Sequence, residues 1–197
     1  MKKILATAAI AAFCFMNVSA QSPVSFGVKG GMNSTNLKFS GDGFNFNPDS
    51  KIGFYAGLLA EIGISDMFAL QPEAMYALMG AKSGDDKLNL SYVNIPVLLK
   101  YKNQGLSLVA GPQLGLLVSA KEDDGSNTTD IKDQFKSTDF GLVLGAGYTT
   151  LSGFGFDARY QLGLSNIAED IDPNINASVK NNGFTFGIHY FFNHTSR

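Results

Sequence analysis

Five charged side chains interrupt stretches that are otherwise apolar and alternating: Glu61, Glu73, Lys100, Asp157 and Arg159. Each stands where its stretch places small or polar residues, so all five belong to the face opposite the large apolar side chains. Charges taken out of water need partners. The five are therefore expected to form an ion-pair and hydrogen-bond cluster, with Gln71, Gln113 and Gln161 beside them. Such a cluster has two uses, an ion path or a filler that occupies the inside of a narrow barrel. Eight strands leave an interior about wide enough for side chains alone, which favours the filler.

Other chemistry finds little support. His189 and His194 are the only histidines, and His189 alternates onto the same polar face. Ser107 and Ser165 are the serines that could be imagined beside it, but no spacing selects a nucleophile and a base. No enzyme is expected. Asp123-Asp124-Gly125-Ser126-Asn127 and Asp170-Ile171-Asp172-Pro173-Asn174 lack the ligand spacing and closing Glu of a calcium loop. They read as solvated acidic loops. Gly27-Val28-Lys29-Gly30-Gly31 is not followed by a helix, so it is no phosphate loop. Cys14 is the one cysteine, and it precedes the mature chain expected below, which excludes disulfides and thiol chemistry. No cofactor and no metal is expected.

The elements that carry these residues show period two. Val24, Phe26 and Val28 alternate with Ser25, Gly27 and Lys29. Ile52, Phe54, Ala56, Leu58, Ala60 and Ile62 alternate with Gly53, Tyr55, Gly57, Leu59, Glu61 and Gly63. The same texture runs through 68–78, 139–148, 154–164 and 184–192, and less cleanly through 88–101 and 105–119. That makes eight strands of roughly 10–14 residues, where about 9–11 tilted residues cross a bilayer. Pro72, Pro96 and Pro112 fall inside strands, where a missing donor leads us to expect local bulges or strand limits displaced by a few residues.

The connections alternate in length: 34–50, 80–87, 120–137 and 166–182 are long and polar, whereas 64–66, 102–104 and 150–152 are short. Even strand number, tight turns at one end and long loops at the other form the transmembrane barrel pattern. The faces agree. Phe, Leu, Ile and Tyr line one face, and Gly, Gln and charged residues the other. A soluble barrel puts its large apolar residues inside, whereas a membrane barrel turns them to lipid. Tyr76, Tyr101, Tyr148, Tyr160 and Tyr190 are expected near strand ends, at the membrane interface.

The N-terminus reads as an address. Met1-Lys2-Lys3 is a basic start, Ile4 to Val18 is mostly apolar, and Val18-Ser19-Ala20 is a small-residue cleavage site. Residues 1–20 are thus expected to be a signal peptide of bacterial export type, and 21–197 one barrel domain. Phe13 rather than a small residue precedes Cys14, against lipidation. Composition supports the class. The 197 residues are 45% hydrophobic and 16% charged, with 22 Gly and 16 Phe, which excludes a disordered chain. From Gln21 onward 13 basic residues face 17 acidic ones, a net charge of −4, so nucleic acid is not an expected partner.

Phe26-Gly27-Val28-Lys29-Gly30-Gly31-Met32-Asn33 and Tyr92-Val93-Asn94-Ile95-Pro96-Val97-Leu98-Leu99-Lys100-Tyr101 resemble the outer membrane β-barrel (PorT-like) family of Bacteroidetes-type bacteria. Gly141 to Tyr148 and the closing stretch Phe184 to Phe192 fit the same pattern, so the resemblance covers 21–197. It implies an eight-stranded outer membrane barrel without an assigned activity. Many such barrels end on an aromatic residue, whereas Asn193-His194-Thr195-Ser196-Arg197 follows Phe192 here.

The expected protein is all-β: a single closed antiparallel up-and-down transmembrane barrel of eight strands in the cell outer membrane. Its expected role is a non-enzymatic scaffold with a plugged lumen. Outer membrane lipid surrounds it, and loops 34–50, 120–137 and 166–182 meet extracellular or host partners. A small passive channel, a soluble periplasmic ligand-binding barrel and a lipid-modifying membrane enzyme are the alternatives, in that order.

Overall fold

The computed structural model describes residues 24–41, 44–46, 49–83, 86–123, 125, 127–168 and 178–192. The expected signal peptide and most of the connection 166–182 lie outside the described residues.

Eight long strands form the wall: β1 (Val24–Gly41), β3 (Asp49–Gly63), β4 (Phe68–Ser83), β5 (Asp86–Asn103), β6 (Leu106–Asp123), β8 (Thr138–Thr149), β9 (Phe154–Gly163) and β10 (Ser178–Phe191). Two short strands, β2 (Phe44–Phe46) and β7 (Thr128–Asp130), pair with the ends of β1 and β6. Each wall strand pairs antiparallel with the next. β10 returns to β1, from Gly27 opposite Phe191 to Ser40 opposite Ser178, and closes the sheet. Closure leaves no unpaired edge, which is what a sheet needs in hydrocarbon.

The apolar side chains look outward. Phe26, Phe54, Leu58, Leu108, Phe156, Phe186 and Ile188 are exposed, while Lys29, Glu61, Glu73, Lys100, Asp157 and Arg159 are buried. This is the face distribution of a barrel solvated by lipid. Tyr101, Tyr148 and Tyr190 sit at the ends joined by short turns and Tyr160 near the opposite end of β9, whereas Tyr76 lies in the middle of β4.

Three expectations need correction. The connection 80–87 is not a long loop: β4 runs to Ser83 and β5 starts at Asp86. Likewise 34–41 belong to β1, 120–123 to β6 and 178–182 to β10. These segments lie beyond the apolar belt, where the outer face turns polar and Leu37, Ala81, Ala120 and Val179 face inward, so the large-apolar-out alternation that marks the belt is lost. The prolines cause no bulge either. Leu59 opposite Glu73 and Ile62 opposite Leu70 bracket Pro72 with one constant offset. The pairs flanking Pro96 and Pro112 behave the same way. A proline removes one donor but leaves the register intact, so the ladder is interrupted locally and resumes.

The register shifts lie elsewhere, between Ser50 and Tyr55 and between Ser91 and Tyr92. At the first, β4 backbone groups that lack a β3 partner are taken up by side chains. Asn33 Nδ2 donates to the Leu78 carbonyl at 3.0 Å. Thr35 Oγ1 donates to the Gly80 carbonyl at 3.1 Å and accepts from the Gly80 N–H at 3.0 Å. Lys51 Nζ donates to the Met79 and Leu88 carbonyls and to Asn89 Oδ1.

Candidate functional site

Inward alternation brings Glu61, Glu73, Lys100, Asp157 and Arg159 into the barrel, but not into one cluster. Glu73, Asp157 and Arg159 meet near mid-height. The Arg159 guanidinium holds Glu73 with two parallel bonds of 2.8 Å, and its Nε lies 2.8 Å from Asp157 Oδ1. Lys29 completes this group, 2.6 Å from the same Asp157 oxygen. Two cations thus face two carboxylates, which makes the group neutral. Gln71 Nε2 donates to Glu73 Oε1 at 2.6 Å. Gln161 reaches Gln113 at 3.5 Å, and both border the same small void as Lys29, Glu73 and Arg159.

Glu61 and Lys100 form a second group nearer the short-turn end. Lys100 Nζ donates to Glu61 Oε2 at 2.8 Å and Lys102 Nζ to Oε1 at 2.7 Å. The Lys100 ammonium also stands 5.3 Å from the centre of the Phe191 ring, which is 1% exposed. Buried charges persist only when paired and hydrogen-bonded, and both groups meet that demand.

Long side chains need space in so narrow a tube, and glycine on neighbouring strands supplies it. A Cβ added to Gly187 would collide with Tyr55 Oη and lie 3.0 Å from Lys29 Cε. One added to Gly145 would lie 2.6 Å from Arg159 Cγ. The Gly-rich inner face is therefore the complement of the charged side chains laid across it.

His189 does not meet the serines considered from the sequence. Ser165 Oγ instead donates to Asp139 Oδ1 at 3.0 Å and accepts from the Phe140 N–H. His189 Nε2 lies 3.0 Å from Thr149 Oγ1, and its Nδ1 lies 3.4 Å from Asp157 Oδ2. Hydroxyl, imidazole and carboxylate stand in the order of a nucleophilic triad. Yet Asp157 is already committed to Lys29 and Arg159, and Thr149 is 7% exposed. Among the described residues no group of three or more His, Cys, Asp or Glu is placed to hold a metal.

Above the ion pairs, toward the long connections, the interior turns apolar. Leu37, Met75, Met79, Leu90, Tyr92, Leu117 and Val179 form one buried cluster. Ile131 and Ile167 come from the connections and join it; Ile167 is fully buried. Backbone bonds seat them: Ile131 N–H to the Ala120 carbonyl at 3.0 Å, Ile167 N–H to the Val179 carbonyl at 2.9 Å. Between the charged and apolar tiers lies a void of about 20 Å³ bordered by Lys29, Tyr55, Glu73, Met79 and Arg159. That is room for about one water molecule.

Sequence reasoning missed Lys29 as a member of the charged group, although its alternation with Val28 carried the signal. It also missed Ile131 and Ile167, single apolar residues in polar connections that no periodicity marks.

The model of a family described as "outer membrane protein beta-barrel domain" matches residues 19–169. The fold is similar to Neisserial surface protein A at 18% identity and a TM-score of 0.57, covering 85% of this chain and 98% of that one. It is also similar to Ail, the attachment invasion locus protein of Yersinia pestis, at 17% identity and a TM-score of 0.50, with 85% and 98% covered. Likeness at such identity concerns the fold alone. No curated protein matches the chain in sequence.

Proposed function

The chain belongs to the outer membrane protein β-barrel domain family, and from that premise we propose that it is a sealed, non-enzymatic scaffold that presents its outer rim and connections to partners outside the cell. The observation that carries this reading is the filled interior. Neutralised charges occupy its middle, an apolar cluster containing Ile131 and Ile167 its upper part, and a void of about 20 Å³ lies between them. A hydrated ion needs a continuous water column, and side chains stand in its way at two levels. Within the family, the opening strand and the Ile95-Pro96 stretch favour the PorT-like barrels of Bacteroidetes-type bacteria. Cleavage after Ala20 releases the mature chain at Gln21, and both chain ends then lie in the periplasm.

The connections 124–137 and 164–177 are the surfaces offered for adhesion or partner binding. Among their described residues, Ile131 and Ile167 tie these connections to the wall. Catalysis has weaker support, because the Thr149–His189–Asp157 row adjoins the ion pairs rather than the enclosed void.

Single-channel recording in planar bilayers tests the proposal. The purified barrel is expected to insert without resolved conductance steps. Large, regular steps from the wild-type protein would contradict the sealed interior and support the small-channel alternative.

A further inference from the structure

At the end of the barrel that carries the long connections, the outward face changes character in layers. On β10 it reads Phe184, Asn182, Lys180; on β1 it reads Met32, Ser34, Asn36, Lys38. On β5 it reads Val93, Ser91, Asn89, Lys87, and on β4 Leu78 is followed by Gly80 and Lys82. On β10, β1 and β5 apolar groups are followed by amides and hydroxyls, and these by ammonium groups; on β4 Gly80 alone separates Leu78 from Lys82. The lysine layer spans β10, β1, β4 and β5, with β3 between the two pairs.

The register makes this arrangement unusual. Lys38 stands directly opposite Lys180, and Lys82 directly opposite Lys87. Like charges facing one another across a ladder destabilise it. The first pair has Asn36 opposite Asn182 below it and Ser40 opposite Ser178 above it, so its ladder neighbours bring no negative charge. Asp49 opposes Lys82 and Asp123 opposes Lys87, but none of the four lysines makes an ion pair among the described residues. Lys38, Lys82 and Lys87 are exposed and Lys180 is half-buried.

Height and direction point to the counter-charge. Lys180 is four residues beyond Phe184 and Lys82 four beyond Leu78, a rise of about 10 Å along a tilted strand. A lysine stem can bend back toward the apolar boundary while its head stays in a polar layer. The ammonium groups therefore reach the headgroup zone of the outer leaflet. They project from the outer wall rather than over the mouth, so a ligand meets them sideways, from within the membrane plane.

We propose that Lys38, Lys180, Lys82 and Lys87 form a binding rim for the phosphate groups of the outer leaflet's phosphorylated glycolipid, one phosphate relieving each lysine pair. This rests on the reading that places the long connections outside the cell.

The test uses the full refolded barrel in zwitterionic bicelles, with binding of diphosphoryl lipid A and of its dephosphorylated form measured side by side. The wild-type protein is expected to prefer the phosphorylated lipid. Each lysine contributes about fivefold. Lys38→Gln/Lys180→Gln and Lys82→Gln/Lys87→Gln should each erode the preference, and the fourfold variant should abolish it. Lys38→Arg/Lys180→Arg should retain it. Equal binding of both lipids, or an undiminished preference in the fourfold variant, would overturn the proposal. So would competition by soluble heparin fragments as effective as that of lipid A, which would make the rim a site for soluble polyanions. A barrel that folds and stays electrically silent yet shows no phosphate preference loses this inference alone. Conductance steps from a barrel that keeps the preference would strike only the sealed-scaffold reading.

Discussion

Arg159 on β9 grips Glu73 on β4 through two bonds of 2.8 Å, joining strands that stand opposite one another across the barrel. In the order of the closed wall, β5, β6 and β8 separate them on one side and β10, β1 and β3 on the other. The pair is therefore a strut through the lumen rather than a rung of the ladder. Bidentate geometry fixes both its length and its direction.

Removing one end of that strut leaves a charge stranded in a buried site. Glu73→Ala or Arg159→Ala is expected to cost about 3–5 kcal/mol. Replacing both by Met should recover most of the loss, because an apolar filler needs no partner. The urea midpoint of the heat-modifiable band in lipid vesicles reads both quantities. A single substitution costing less than about 1 kcal/mol would show that the pair is not buried as described.

Asp157 is the more connected of the remaining carboxylates, touching Lys29, Arg159 and His189. Asp157→Asn leaves two cations sharing Glu73, whereas Lys29→Met leaves Asp157 still held by Arg159. The first should therefore destabilise more, by about 1–3 kcal/mol relative to the second. Combining the two should cost less than the sum, and a double-mutant cycle measures the difference. Strict additivity would separate Lys29 from the group.

The upper tier depends on Ile131 and Ile167 docking inside the wall. Ile167→Asp puts a carboxylate into a fully buried apolar position, at a cost of about 2–5 kcal/mol locally. Deuterium uptake should rise around 131–136 and 164–168, while β9 and the lower part of β10 stay protected. Unchanged uptake at the connections would mean that they do not cap the barrel.

The fold was legible wherever one face met lipid. Phe184, Phe186 and Ile188 against Thr185, Gly187 and His189 state both strand and orientation, because the two media demand opposite side chains at successive positions. That contrast ends with the belt. Residues 79–83 and 86–91 continue as strands with a polar outer face and with Met79, Ala81 and Leu90 turned inward, so Gly80, Lys82 and Lys87 made them resemble a loop. Pairing inside the barrel was less legible still. Alternation puts Glu73 and Arg159 on the same face, but their meeting depends on stagger summed around the wall, which no single strand encodes. The prolines misled for a simple reason: a missing donor interrupts a ladder without obliging it to slip.

The most direct test of which face meets lipid and which is sealed uses introduced thiols, since Cys14 is the one cysteine in the chain and Cys14→Ser removes it. Single cysteines at Phe184, Phe186 and Ile188 would be labelled in the unfolded state, and the barrel refolded into vesicles containing brominated lipid. Labels at Phe184, Phe186 and Ile188 should be quenched by the lipid. Cysteines at Thr185 and His189, left unlabelled, should resist a water-soluble maleimide after folding. Quenching in the opposite phase, or ready aqueous labelling at Thr185 and His189, would contradict a barrel with its apolar face in lipid and its charges sealed within.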